Sequence, residues 1–154
     1  MLLGKTLFCF GLQIQHFMNG VLLHQQTYTQ KLFQHFQMDQ ANTFAAPMIG
    51  RNCSNNDMYQ SCLDEEEIVD KQRYLTAVGT FTYLTTHTRL NIAFATNILA
   101  RYSIKPIARH WNGVKHLLHY LRGTKDLRLS YRINTKGKIT CYADSGFKTD
   151  EVTG

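Results

Sequence analysis

The stretch that decides the fold is "RHWNGVKHLLHYLRGTK", residues 109–125. Trp111, Val114, Leu117, Leu118 and Leu121 recur at the spacing of one helical face. Arg109, Asn112, Lys115, His116, His119 and Arg122 take the other side. Gly123 comes just after the last apolar residue of the stripe, Leu121, where a helix can end on a left-handed residue. The pattern predicts a helix over 109–122, with its positive charges suited to the C-terminal end of the dipole. The apolar stripe explains the helix. It does not explain why the opposite face is so basic.

Two similar stripes precede it. Tyr74, Val78, Phe81 and Leu84 mark one helix, and Ile92, Ala95, Leu99 and Tyr102 mark another. Pro106 is expected to stop the second. Short links between the three predict antiparallel neighbours. The core of this unit is expected to contain Phe81, Leu84, Ile92, Leu99, Trp111, Val114, Leu117, Leu118 and Leu121.

The flanks read differently. In "LFCFGLQIQHFMNGVLLHQ" (7–25), Phe8, Phe10, Leu12 and Ile14 alternate, and Val21 and Leu23 resume the alternation after Asn19-Gly20. This predicts a β-hairpin with a type I′ turn on Asn19-Gly20. A helix capped by Thr27 follows, with Tyr28, Leu32 and Phe36 at four-residue spacing. Residues 45–63 have little periodicity and read as an exposed connection. The acidic run Asp64, Glu65, Glu66, Glu67 is placed to open the next helix. Near the end, Leu127, Leu129, Tyr131 and Ile133 alternate, as do Ile139 and Cys141, predicting a second hairpin. The expected fold class is α+β: an N-terminal β-hairpin and helix, a central three-helix unit, and a C-terminal β-hairpin. The segments are 1–44, a linker over 45–70, 71–126, and 127–154.

With 154 residues, 44% of them hydrophobic, the chain can form one modest core. No run of about 18 apolar residues is present, so no membrane span is expected. Met1–Leu12, "MLLGKTLFCFGL", has the lysine and apolar stretch of a secretory signal, but the stretch is short and no A-x-A-like site follows. The net charge is +6 and unevenly spread. Residues 1–70 hold three Lys/Arg and seven Asp/Glu, whereas residues 71–138 hold thirteen Lys/Arg against Asp126 alone. Such a block suits a polyanionic partner, most simply nucleic acid, or an anionic lipid surface; the alternative is an idle solvated face. Cys9, Cys53, Cys62 and Cys141 form no C-x-x-C pair. His116 and His119 lack a second ligand pair, so they read as surface histidines, and neither a metal nor a cofactor is expected. Cys53 and Cys62 share a polar loop and could pair in an oxidising compartment.

Several strings are more specific. "FCFGLQI", "LLHQQTYTQKLFQHFQM", "YLTAVGTFTYL", "TRLNIAFATNILARYS", "RHWNGVKHLLHYLRGTKDLRLSY" and "YADSGF" closely resemble the polyprotein of copia-type retrotransposons, in order and over nearly the whole chain. The resemblance implies the end of a reverse transcriptase palm with a primer-grip-like hairpin, three thumb-like helices, and the start of an RNase H-like domain. It also implies phosphate contacts, for which Arg101, Arg109, Lys115, His119 and Arg122 are the candidates, because a polymerase grips any sequence through its backbone.

The departures are as informative. The family's Tyr-x-Asp-Asp turn is absent, and no Asp-Asp pair occurs. Of the several carboxylates that the resemblance implies for a two-metal RNase H site, only the first has a counterpart here, Asp144. The family's Thr-Arg-Pro-Asp is Thr88-Arg89-Leu90-Asn91 here. These departures predict no enzymatic activity. Short copia-like chains also resemble secreted RxLR effectors of plant-pathogenic oomycetes, which act on host plant proteins inside host cells. The signal-like start and the acidic run at 64–67 agree with that resemblance, and the absence of any R-x-L-R opposes it. Two functions follow: a secreted effector that suppresses host defence and cell death, or an intracellular reverse transcriptase remnant that binds nucleic acid.

Overall fold

The structure, a computed structural model, describes residues 4–38, 40–49 and 67–133. The fold is α+β. Four strands, β1 (Phe8–Cys9), β2 (Leu12–Phe17), β3 (Gly20–His24) and β4 (Leu129–Arg132), form one antiparallel sheet in the order β1-β2-β3-β4. Four helices accompany it: α1 (Gln26–His35), α2 (Lys71–His87), α3 (Ala93–Ala100) and α4 (Ala108–Gly123).

The N-terminal hairpin forms as expected, but its turns fall elsewhere. Phe10 (φ 49°) and Gly11 (φ 79°) are consecutive left-handed residues joining β1 to β2, the signature of a type I′ turn. The Phe8–Ile14 alternation therefore folds back on itself. The Tyr83 hydroxyl on α2 donates to the Phe10 carbonyl at 2.9 Å and holds this turn. Any side chain on Gly11 would collide with that hydroxyl. The β2–β3 turn is Met18-Asn19, and Gly20 is already paired with Phe17. Gly20 is needed for close approach instead: a Cβ there would meet the Tyr131 carbonyl and the Cα of Arg132 on β4. β4 thus completes the N-terminal sheet, with Leu23 opposite Leu129 and Gly20 opposite Arg132. The expected partner strand of the C-terminal hairpin, around Ile139 and Cys141, lies outside the described residues, as do Cys53, Cys62 and Asp144. Cys9 is an exposed thiol.

Helix α1 starts before Thr27, so Thr27 is not its cap. The amide and hydroxyl of Thr27 both donate to Oε1 of Gln13 on β2, each at 3.1 Å. Sheet and helix satisfy each other at that corner. Leu32, Phe33 and Phe36 are buried, while Tyr28 packs on the core from its edge. Helix α2 is capped by Asp70, which accepts the Gln72 amide at 2.9 Å. Of the acidic run only Glu67 is described; it is exposed, and its carbonyl accepts the Ala108 amide. The run does not open α2, because Ile68 and Val69 pair with Ile107 and Pro106 and set the helix start later.

The three-helix unit forms as the stripes predict. Tyr74, Val78, Phe81, Leu84, Ile92, Leu99, Val114, Leu117, Leu118 and Leu121 are buried together. Helix α3 ends at Ala100, well before Pro106, which is itself buried beneath the α2 start. Two positions on α4 differ from expectation. Trp111 is half-buried, with the Arg73 guanidinium 4.9 Å over its ring. His116 is 8% exposed rather than a surface histidine. His116 is covered by the connection after α1.

Candidate nucleic-acid interface

The basic face of α4 is partly covered by the chain's own backbone. Met38 and residues 40–48 lie antiparallel across it. At one end Nη1 of Arg122 donates to the carbonyls of Met38 (3.1 Å) and Ala41. One turn earlier the His119 Nδ1–H donates to the Asn42 carbonyl. A further turn back the His116 Nε2–H donates to the Ala46 carbonyl at 3.0 Å. A carbonyl can only accept, so each imidazole carries its proton on the named nitrogen. The Phe44 ring lies against both histidines, 4.6 Å from His116 and 4.7 Å from His119 between centroids. Gly123 lets the strap close in; its Cβ would come within 3.0 Å of Thr43 Cβ. Burial pushes the His116 pKa below its usual value, opposed by its bond to Ala46 and reinforced by His119.

The five candidate phosphate contacts therefore divide. His119 and Arg122 are half-buried and engaged with the strap. Lys115 is exposed and has no partner among the described residues. Arg101 is exposed and Arg109 half-buried, and each has an interaction of its own. The candidates are not one open row of cations. Across residues 71–133, however, eight of eleven Lys/Arg side chains are exposed, against the single acid Asp126.

A buried arginine escaped the sequence reading. Arg89 is 4% exposed and donates from Nη1 to the Thr124 carbonyl at 2.9 Å and from Nη2 to the Thr124 hydroxyl. Its Nε reaches Oδ1 of Asn91 at 3.4 Å, and Nδ2 of Asn91 donates to the Tyr120 hydroxyl. Next door the Thr88 hydroxyl donates to Oε1 of Gln25 at 2.6 Å. Burial pulls the Arg89 pKa below its ordinary value, with Tyr120 acting in the opposite sense. Thr88-Arg89-Leu90-Asn91 is thus the joint between α1, α2 and the end of α4. Leu90 is the exposed first residue of a 3-10 turn (Leu90–Ile92), a place where proline fits. The asparagine at 91 leaves Arg89 facing no carboxylate among the described residues.

A second positive region flanks the sheet, where Lys5, His16, His24 and Arg128 line a groove of about 670 Å³. Arg128 donates to Oε1 of Gln15. Nδ1 of His24 is buried without a hydrogen-bond partner among the described residues, and burial, then Arg128, lowers its pKa. Sequence reading missed this groove because its residues come from both ends of the chain. Among the described residues no three His, Cys, Asp or Glu side chains group as metal ligands, and no helix is long and apolar enough to cross a membrane.

The chain is 32% identical over 102 residues to the Retrovirus-related Pol polyprotein from transposon TNT 1-94 of Nicotiana tabacum, covering 66% of this chain and 8% of that protein. It is 27% identical over 140 residues to the Retrovirus-related Pol polyprotein from transposon RE2 of Arabidopsis thaliana, covering 91% of this chain and 9% of that one. A match at 32% over 77 residues joins half of the chain to 54% of Secreted RxLR effector protein 161 of Plasmopara viticola. The chain is a copia-like sequence that corresponds to a small part of the Pol polyproteins and about half of that effector's length. No family model and no solved structure matches it.

Proposed function

We propose that this chain is a remnant of a retroelement reverse transcriptase that binds duplex nucleic acid through its phosphates, without sequence preference and without catalysis. The observation that carries the reading is the near-total exclusion of acid from residues 71–133 together with the exposure of most of their cations. Each phosphate neutralised releases counterions, so binding should weaken with salt at about 0.9 log units per contact. The test is the salt dependence of duplex binding by fluorescence anisotropy. Changing Arg101, Arg109 and Lys115 to Gln should lower the slope by about 2 to 3. An unchanged slope at unchanged folding would mean that these cations are only solvated. The absent Asp-Asp turn supports the lack of catalysis, since one carboxylate does not assemble a two-metal site. Primer extension or hybrid cleavage with Mg²⁺ that vanishes in Asp144→Asn would refute it.

A second reading rests on the match to the Plasmopara effector. On that reading the chain is secreted and acts on host plant proteins. Expression in leaf cells should then reduce elicitor-triggered cell death, and should do so equally with Asp144→Asn. Unchanged cell death at confirmed protein levels would remove this reading.

A further inference from the structure

Three α4 side chains that could hold phosphate oxygens already hold oxygens of another kind. His116, His119 and Arg122 stand at i, i+3 and i+6, and their N–H groups meet carbonyls of Ala46, Asn42, and Ala41 and Met38. The contacts advance along the helix as they retreat along the strap, so the pairing is an ordered antiparallel one and not a chance crossing. A phosphate oxygen and a carbonyl oxygen compete for the same donors. The competition is uneven, because a phosphate brings a full negative charge to the Arg122 guanidinium whereas a carbonyl brings only a dipole.

The strap is built to let go. Gln40–Ile49 contains no Lys, Arg, Asp or Glu, and in sequence Asp39 is the single charge beside it, so most of its hold on the cations beneath is through neutral groups. Thr43, Phe44, Ala45 and Ala46 are all exposed. Its hold is a set of hydrogen bonds, the Phe44 ring against two imidazoles, and Met48 on the core edge. A segment with little buried apolar surface lies at the low-stability end of a structure.

We propose that residues 40–49 are an autoinhibitory clasp on the basic face of α4, and that clasp closure and duplex binding exclude each other. The proposal rests on the nucleic-acid reading above and adds its regulation. Phe44→Ala removes the ring that both histidines hold while leaving every cation in place. The apparent Kd is the intrinsic Kd divided by the open fraction, so opening the clasp lowers it and tightens binding.

The test is duplex binding by anisotropy across a salt series with the full chain. Phe44→Ala should bind about 3- to 10-fold more tightly, with a salt slope steeper by about 0.9 as Arg122 becomes available. A locked form gives the opposite sign. Gly123 Cβ would lie 3.0 Å from Thr43 Cβ, close to the roughly 3.5–4.5 Å of a disulfide. Thr43→Cys with Gly123→Cys, in a chain whose four native cysteines are Ser, should bind more weakly oxidised than reduced, with reductant restoring affinity in the same sample. Equal binding by wild type, Phe44→Ala and both redox forms, with the slope still lost on Arg101/Arg109/Lys115→Gln, would overturn the clasp and leave the nucleic-acid reading standing. No binding by any form would overturn both.

Discussion

Replacing Arg89 with Met tests whether the joint between α2 and the end of α4 is an energetic feature of the fold. The guanidinium is 4% exposed and makes two good bonds to Thr124, one to its carbonyl and one to its hydroxyl, plus a long one to Asn91. Hydrogen bonds to a charged group contribute about 1.5–3 kcal/mol each, so the two good ones together represent roughly 3–6 kcal/mol. Two effects offset this. Met no longer holds a desolvated charge in the interior. The Thr124 carbonyl also keeps the Leu127 amide as a donor. A net loss of about 2–3 kcal/mol is expected, which for a chain of this size is a fall in Tm of roughly 4–12 °C. Urea unfolding followed by circular dichroism measures it, with the m-value unchanged if only stability moves. A double-mutant cycle with Thr124→Val should return coupling above about 0.5 kcal/mol. A loss under about 0.5 kcal/mol for Arg89→Met, the range of ordinary surface changes, would refute the reasoning.

Asn91→Asp should raise stability by about 1–2 kcal/mol by giving Arg89 a carboxylate; the new acid's pKa would be depressed, so the gain should be lost as pH falls towards about 4, and should vanish in Arg89→Met. Trp111→Ala should cost about 1–2 kcal/mol by denaturant melting, short of the 3–5 of a fully buried aromatic, because its ring is only partly buried; a loss above about 4 would place the indole inside. The strap should loosen with acid. His116 has a folded pKa below its ordinary 6.5, so protons favour the open state, and the stabilisation present above that value is lost as pH falls below it. His119 is the neighbouring titratable group, and the strap itself holds none over 40–49. Exchange of the Phe44 amide should therefore quicken, relative to that of α2 amides, between pH 7.5 and pH 5.5; a constant ratio would show that His116 does not hold the strap.

The helical unit was legible because burial there repeats every three or four residues. Tyr74, Phe81, Leu99 and Leu118 each announce their side. The hairpin was legible in kind and not in position. Asn19-Gly20 is a strong turn signal, yet the left-handed pair is Phe10-Gly11, stabilised by a tyrosine 73 residues away in sequence. Tertiary contacts of this sort leave no local pattern. The same blindness affected the site. His119 and Arg122 have the spacing of a solvent face, and nothing in that spacing reveals a strap whose carbonyls occupy them. Arg89 was hidden for a related reason: a lone arginine is usually solvated, and its partner Thr124 lies on another element.

The pairing of β3 with β4 sets an order of events. Leu23 and Leu129 are about 106 residues apart, and closing a flexible loop of that length costs about 4 kcal/mol of chain entropy. Helices assemble from local contacts far sooner. The three-helix unit should form first and carry the end of α4 back towards Gly20, shortening the effective loop. During that interval, on a ribosome or after dilution from denaturant, the outer edge of β3 has no partner. An unpaired edge bearing Val21 and Leu23 is a template for another chain. Crowded, slowly folding copies should thus associate through β3, and a drop in soluble yield with concentration would trace to the last strand to arrive.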